Sequence, residues 1–555
     1  MFKSKYVFTF IIITFLILSI CGAGVFVDDE WVSAQQLKQL WEGHQIVYNE
    51  GTYGYYADGS SGTYFEYRDN RLMYSMGLPV ASLPIYALIK LCGDYFRMII
   101  IQIWVLLGFL SLYYLITKVN SKMITSIIIA IGVFAILAII NFFLYTPFPT
   151  IGIFLPTEVL AIVTTNIILF GIFAVILHKI IDQLFDHIRL KAFAFLTTLS
   201  CTSLIFWVGA CKDHILSCVL ATLILYYLII YEQKRSMSAL SIALFVTGVL
   251  IWERIELGIG ILIGISIYLF LYHFKNVLNN KVPLLLVFLT GTIPLWINNY
   301  LTTGSALMHP FMTANAQIYM AISAEDNITS QFIVTQSDNP LWVIFHTLFA
   351  PLSGAVALLP IIPLVIIIIP AYILKRIKLS RTDILLLILS LSSCIYYILF
   401  SGKYMHADMG IMPDMRYFIF FYTAITLFML SVVNKILPEL KYKKMIIYCL
   451  LSIGLLFILF TTYAATLSNG GTYRDLNKII NTLATVCMGI GLIAVVNDIR
   501  LNKNYLTYIL PIMIAIPMAW QLTMLFIYHT SKAHVYPMFL PITEFLYNYI
   551  FGLIL

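Results

Sequence analysis

The densest acidic cluster of the chain follows directly on its first apolar run. Asp28, Asp29 and Glu30 are consecutive, and residues 6–24 before them are almost entirely apolar. Three adjacent carboxylates repel one another at a cost that rises near lipid, so another group should neutralise them or use them. A carboxylate placed here could take a proton from an attacking hydroxyl or amide. The alternative is a solvated cap at the membrane surface.

Basic residues that could hold an anion occur later in the chain, beside other apolar runs. Arg254 and Arg416 each lie at the edge of such a run, and Lys212 lies in a turn between two runs. Arginine near a membrane usually pairs with another group, and a guanidinium suits a phosphate. Arg254 could instead be neutralised by Glu253 or Glu256, and each of these clusters could be a solvated loop.

The composition indicates what surrounds these groups. Of the 555 residues, 61% are hydrophobic and 11% are charged, and the mean hydropathy is +0.93. Soluble domains carry about 25% charged residues. Apolar runs near the length of a membrane span recur along the whole chain, which predicts an all-α polytopic membrane protein. The eight cysteines are scattered and form no CxxC pair, so a zinc site or a disulfide framework is not expected.

The apolar runs predict about 12–15 transmembrane helices. The first run, 6–24, is interpreted as a retained span and not as a cleaved signal. The runs lie at 6–24, 97–117, 122–142, 157–180, 191–210, 214–232, 237–252, 258–274, 283–300, 343–373, 383–400, 416–434, 445–465, 478–497 and 505–527.

The basic residues predict how these helices are threaded. With Lys3 and Lys5 inside and the spans alternating, most of the 33 lysines and arginines fall in inner loops, as the positive-inside rule requires. The net charge of +7 therefore orients the protein and needs no nucleic acid. We expect a multi-pass protein of the cell membrane with a cytoplasmic N-terminus. The long loops, which then lie outside, are 25–96, 300–342, 400–416 and the tail 528–555.

The first outer loop should contain short helices and an aromatic segment. Residues 31–42 are predicted as an amphipathic helix lying along the membrane interface, and its apolar side consists of Trp31, Leu37, Leu40 and Trp41. The Tyr/Gly-rich residues 48–67 have the composition of a loop. The apolar segment 78–91 is too short to cross comfortably.

In this order, the motifs resemble those of the GT-C glycosyltransferases. That superfamily of membrane enzymes uses polyprenyl-phosphate sugars and includes the protein O-mannosyltransferases and the aminoarabinose transferases. The resemblance rests on an acid pair, a helix ending in an acid and glycine, and an Asn-acid pair: Asp29-Glu30, Glu42-Gly43 and Asn49-Glu50. The segment RDNRLMYSMGLPVASLPIY follows them.

The similarity continues over most of residues 1–420. TTGSAL, HTLFAPLSGAVALLPIIPL and MPDMRY each resemble a later motif of the superfamily, although Ser353 stands where such proteins often have arginine. The resemblance implies a GT-C-like transmembrane catalytic region at 1–435, with the first external loop at 25–96. Residues 436–555 would supply C-terminal transmembrane helices and a short external tail.

The resemblance implies transfer of a sugar from a polyprenyl-phosphate or diphosphate donor to an acceptor on the non-cytoplasmic face. Direct attack would invert the anomeric carbon. Asp29 matches the acidic position of the family and is the preferred base, Asp28 is the alternative, and Glu30 would orient the acceptor or hold a metal. The acceptor could be a glycan, a lipid or a protein.

The remaining roles follow from the same resemblance. Arg416 is the first choice for the donor phosphate, with Arg254 and Lys212 next. A divalent cation, Mg²⁺ or Mn²⁺, could bridge Asp29, Glu50 and the phosphate. The candidates for the acceptor pocket are Tyr48, Asn49, Tyr74 and His214.

Two other functions are compatible with a polytopic membrane protein. A transporter or flippase would place ionisable residues deep within its spans. A polysaccharide polymerase or ligase acting on a lipid-linked glycan would depend more on external arginine than on the N-terminal acids.

Overall fold

Long apolar helices make up most of the computed structural model. Its described residues are 5–25, 30–43, 66–67, 71–72, 75–119, 123–148, 157–308, 348–349, 354–367, 370, 378–401, 418–437, 440–467, 472–501, 503–527 and 535–554. In lipid, a spanning segment must satisfy its own backbone hydrogen bonds, which an α-helix does internally. The helical architecture predicted from the apolar runs is therefore confirmed.

The first half of the chain contains two strand pairs and a series of helices. The elements are α1 Lys5–Ile20, β1 Gly22–Gly24, α2 Glu30–Glu42, β2 Glu66–Tyr67, β3 Arg71–Leu72, α3 Gly77–Cys92, α4 Phe96–Val119, α5 Met123–Phe143, α6 Thr157–Leu184, α7 Ile188–Ser200, α8 Leu204–Trp207, α9 His214–Lys234, α10 Met237–Glu253 and α11 Ile255–Asn279.

The second half is helical until a short strand near the C-terminus. The elements are α12 Lys281–Gly291, α13 Ile293–Thr303, α14 Leu358–Ile361, α15 Arg381–Ser401, α16 Ile419–Ile436, α17 Tyr442–Thr466, α18 Thr472–Leu501, α19 Leu506–Ile527, β4 Val535–Met538 and α20 Pro541–Ile554.

The helix lengths fit a multi-pass membrane protein. Among the described residues, eight helical segments are long and apolar enough to cross a membrane, or nine if the pair α12 and α13, bent by 43°, forms one span. Shorter apolar helices lie at Lys5–Ile20, Ile127–Phe143 and Met237–Glu253. The predicted run 283–300 is thus a bent pair of helices.

One predicted span has a different structure. The run 191–210 covers most of α7, which has only 13 residues, and the one-turn helix α8. Between them Ser203 adopts a left-handed conformation with φ of 56°. Gln521 on α19 accepts from the N–H of Ile205 at 3.0 Å and donates to the carbonyl of Ser200 at 2.7 Å. This side chain replaces hydrogen bonds that a continuous helix would supply, so the break is stable within the protein.

The core lies where α6, α9, α16 and α19 are surrounded by other helices. Most of their side chains are buried, including the apolar residues of α16 from end to end, whereas α5 and α17 carry many exposed apolar residues suited to lipid. Helix α2 packs against α3 and α6, and its residues 30–37 are buried. The predicted helix in the first outer loop is therefore present and is covered by protein over its first half.

A small β-structure joins distant parts of the chain at the end of the bundle predicted to face outside. Strand β1 pairs antiparallel with β4, with Gly22 opposite Met538 and Gly24 opposite Val535. On its other side, Gly24 forms an isolated parallel bridge with Ala210. This places residues 22–24, the turn before α9 and the C-terminal region side by side.

Candidate functional site

Glu30 is the described member of the acidic cluster. It begins α2 and its side chain is buried, with 0% exposure. Its Oε2 accepts a hydrogen bond of 2.8 Å from the N–H of Cys211. A buried carboxylate needs such donors, because it has lost its water. Asp28 and Asp29 lie outside the described residues, so their placement stays a prediction.

Other elements hold the turn that contacts Glu30 by binding to its backbone. Asn166, in the middle of the buried helix α6, donates from Nδ2 to the carbonyls of Ala210 at 2.9 Å and Lys212 at 3.0 Å. The bridge to Gly24 fixes the same turn from β1. The Lys212 side chain is buried, with 4% of the residue exposed. A cation from the predicted set is thereby fixed next to the N–H that binds Glu30.

A second buried carboxylate, which sequence reasoning missed, lies in the same neighbourhood. Glu158 stands in the first turn of α6 and is 4% exposed, and the Tyr86 hydroxyl donates to its Oε1. Burial raises the pKa of the Cys211 thiol well above its usual range, the charges of Glu30 and Glu158 raise it further, and Lys212 opposes them. Both carboxylates therefore lie near the turn. The available signal was an acid at the second position of the apolar run 157–180, on the predicted outer side.

Arg254 forms the next part of the site. It interrupts the helical path between α10 and α11 with an extended backbone, and its Nη1 lies 2.6 Å from His214 Nδ1 and 3.5 Å from Asp213 Oδ1. A guanidinium only donates, so His214 accepts at Nδ1 and carries its proton on Nε2. The Trp207 and His214 rings pack nearly perpendicular to each other, with centroids 4.8 Å apart.

Glu253, proposed as a neutralising partner of Arg254, has a different contact. Its Oε2 accepts from the Ser75 hydroxyl at 3.0 Å, beside the first turn of α3. A Cβ at position 77 would lie 1.8 Å from that oxygen, so Gly77 leaves room for the carboxyl. Glu253 thus connects the end of α10 to the start of α3.

A small cavity borders the Arg254–His214 contact. Its volume is about 10 Å³, enough for about one water molecule. The lining residues are His214, Ser217, Cys218, Arg254, Leu257, Ile419 and Phe420.

The structure brings together four predicted site residues and adds one. We use the name outer site for Glu30, Glu158, Lys212, His214 and Arg254. Buried carboxylates beside an ammonium and a guanidinium can accept a proton and bind an anion.

The other predicted site residues lie outside the described residues: Asp28, Asp29, Tyr48, Asn49, Glu50, Tyr74 and Arg416. Within the ranges that the structure describes, no group of three His, Cys, Asp or Glu residues could hold a metal ion.

Comparison with solved structures identifies the fold. No protein-family model matches the sequence, and no curated protein matches it significantly. The crystal structure of ArnT, an aminoarabinose transferase, from Cupriavidus metallidurans bound to undecaprenyl phosphate is similar, with a TM-score of 0.50 and 11% identity. The match covers 94% of this chain and 76% of ArnT.

The same enzyme in its apo state gives a TM-score of 0.44 at 11% identity, over 95% of this chain and 76% of ArnT. The likeness to the lipid-bound structure confirms the GT-C fold predicted from the motifs. The chain is a polytopic α-helical membrane protein with the GT-C fold. A structural likeness at 11% identity shows the fold alone, so the reaction has to be argued from the residues of the site.

Proposed function

We propose that the chain is a membrane glycosyltransferase that moves a sugar from a polyprenyl-phosphate or diphosphate to an acceptor, with inversion. The observation that carries the proposal concerns one turn. Its Cys211 N–H binds the buried carboxylate of Glu30, and its next residue is the buried Lys212. The fold, shared with an enzyme whose structure contains undecaprenyl phosphate, supports a lipid donor of this kind.

The residues take their roles from the charges that develop during transfer. As the bond between the sugar and the phosphate breaks, negative charge builds on the leaving oxygen, and Lys212 and Arg254 would stabilise it, together with Arg416. Asp29 or Asp28 would take the acceptor proton, and Glu30 would orient the acceptor. A divalent cation held by Asp29 and Glu50 would add positive charge at the phosphate. Apolar helices would surround the polyprenyl tail.

The proposed orientation places this chemistry outside the cytoplasm. The inner loops would hold most of the lysines and arginines, which sets the N-terminus in the cytoplasm. The acids and the 211–214 turn then lie on the opposite face of the cell membrane.

The location of other buried acids supports an enzyme over a transporter or flippase. Glu232 and Asp383 are buried and Asp182 is partly buried, and each stands within a turn of the predicted inner end of its helix. They pair respectively with Lys5 and Lys191, with Arg235 and with Lys435. Acids at mid-depth, which a transporter would favour, are not among these pairs.

Binding of undecaprenyl phosphate to the protein in nanodiscs tests the proposal. Lys212→Gln should weaken binding by about tenfold or more, because loss of a buried cation costs more than 1 kcal/mol at a phosphate. Lys478→Gln is the matched control, since Lys478 lies near the same predicted outer face but is 70% exposed and paired with Asp475. Equal affinity for the wild type and Lys212→Gln would overturn the phosphate role.

A transfer assay tests the reaction class directly. The protein is incubated with polyprenyl-phosphate sugars and candidate acceptors, and release of polyprenyl phosphate is measured. Binding without any release, across lipid, glycan and protein acceptors, would favour the alternative of a flippase that carries the lipid-linked sugar.

A further inference from the structure

The C-terminal segment 535–554, which carries no recognisable motif, contacts the element next to the outer site. Strand β4 pairs with β1 along one edge, and the N–H of Phe539 donates to the carbonyl of Cys21 at 3.1 Å. The opposite edge of β1 bridges Ala210. Strand β1 therefore lies between the C-terminal segment and the turn that carries Lys212.

A fully buried arginine fixes the segment where it leaves β4. Arg97, at the start of α4, has 0% exposure. Its Nη2 donates to the carbonyl of Met538 at 2.6 Å and forms an ion pair with Glu544, and its Nη1 donates to the carbonyl of Thr146 at 2.9 Å. A buried guanidinium requires such acceptors. Loss of the Glu544 charge would therefore leave the buried positive charge of Arg97 without its counter-ion, which is destabilising.

Two further bonds attach α20 to the helices beneath it. The Thr543 hydroxyl donates to the carbonyl of Ser19 at 2.6 Å, in the last turn of α1. The N–H of Ile542 donates to Asn141 Oδ1 at 3.0 Å, near the end of α5. The segment is thus attached to the residues immediately before β1 as well as to β1 itself.

We propose that segment 535–554 is a positioning element of the outer site. The Arg97–Glu544 pair holds β4, β4 holds β1, and β1 holds the 210–212 turn, whose backbone binds Glu30 and whose side chain is the Lys212 cation. Arg97 and Glu544 are positioning residues, because they act through this backbone. The part of the inference that concerns ligand binding rests on the proposed function.

Hydrogen exchange read by mass spectrometry tests the positioning without any ligand. In Glu544→Gln, amides of residues 20–25 and 208–213 should exchange about tenfold faster, as expected if about 1.4 kcal/mol of local stability is lost. Asp383→Asn is the matched control, because it removes the acid of another buried pair at the opposite end of the bundle. Faster exchange confined to 535–554, or equal changes in both variants, would overturn the proposal.

A milder variant covers the case in which Glu544→Gln does not fold. Thr543→Val removes the bond to Ser19 and keeps the ion pair, and it should accelerate exchange at residues 20–25 in the folded protein. Unchanged exchange there would contradict the role of the segment.

Binding of undecaprenyl phosphate then connects the segment to the site. Glu544→Gln should weaken binding by about tenfold, and the double variant with Lys212→Gln should bind no more weakly than Lys212→Gln alone, since both act through one side chain. Additive losses would contradict positioning through Lys212. If the wild type does not bind this lipid, the proposed function fails. The exchange experiment would still test whether segment 535–554 positions the outer site, because it needs no ligand.

Discussion

Glu30 and Glu158 show how buried charges are arranged at the residue scale. Each is placed in the first turn of a helix, where the helix dipole favours an anion, and each accepts one identified hydrogen bond, from Cys211 N–H and from the Tyr86 hydroxyl. Residue types singled out Glu30, Lys212 and Arg254, because charged groups beside apolar runs are unusual, and His214 was named among the roles that the resemblance implies. Glu158 was missed because a single acid at the start of an apolar run is a weaker signal than a cluster, and Tyr86 was missed because it lies within an apolar segment and shows no pattern of its own.

A substitution that removes the Glu30 charge but keeps the size of the side chain tests the role of this residue. Glu30→Gln should reduce transfer by at least about a hundredfold, the scale of a general-base or positioning group, while the folded protein remains, because glutamine can still accept from Cys211. Glu42→Gln at the exposed end of the same helix is the control.

The two predicted bases are tested beside it in the same transfer assay. Asp29→Asn should abolish transfer, with Asp28→Asn as the alternative. Full activity in both of these variants would remove the catalytic assignment of the acidic cluster.

Close helix contacts determine the structure at the element scale. Gly291 on α12 faces α10 so closely that a Cβ would lie 2.2 Å from the carbonyl oxygen of Phe245. Small residues let helices approach in this way. The apolar runs predicted where most helices lie, since a spanning helix needs a long apolar stretch. They did not predict the break in 191–210, because a Gln521 side chain more than 300 residues away satisfies that backbone.

The Gly291 contact gives a prediction for stability. Gly291→Ala should lower the free energy of unfolding by about 1–3 kcal/mol, because backbone atoms must move to admit the methyl group. Gly132→Ala on α5 has nothing within 4 Å of its new Cβ and should be neutral or stabilising by up to about 1 kcal/mol. Denaturant unfolding in detergent compares the two, and similar losses in both would contradict the close-contact explanation.

At the scale of the whole molecule, different groups of charged residues lie at its two ends. The predicted inner end contains the pairs made by Asp182, Glu232 and Asp383, whereas the predicted outer end holds the outer site, the Arg97–Glu544 pair and the β1–β4 pair. The lysines and arginines of alternate loops predicted which end faces the cytoplasm, but the buried pairs at that end were not predicted. The sequence could not predict that β1 pairs with β4, because Gly-Ala-Gly and Val-Tyr-Pro-Met are short, carry no strand pattern and are separated by most of the chain.

The inner pairs should serve stability and not ligand binding. Asp383 is 2% exposed and accepts from Ser431 at 2.7 Å and from Lys435. Asp383→Asn should lower the free energy of unfolding by about 3 kcal/mol, since the ammonium loses its counter-ion. Affinity for undecaprenyl phosphate, measured on the folded fraction, should stay within about twofold of the wild type. A tenfold loss of affinity in Asp383→Asn would contradict this prediction, because it would mean that the inner end is energetically coupled to the outer site.

A structure of the protein with undecaprenyl phosphate bound tests the central claim most directly. We predict that the phosphate lies against Lys212 and Arg254, within reach of the acidic segment 28–30. A phosphate bound elsewhere, with Asp28 and Asp29 pointing into bulk solvent and no basic side chain beside them, would contradict the glycosyltransferase function proposed here.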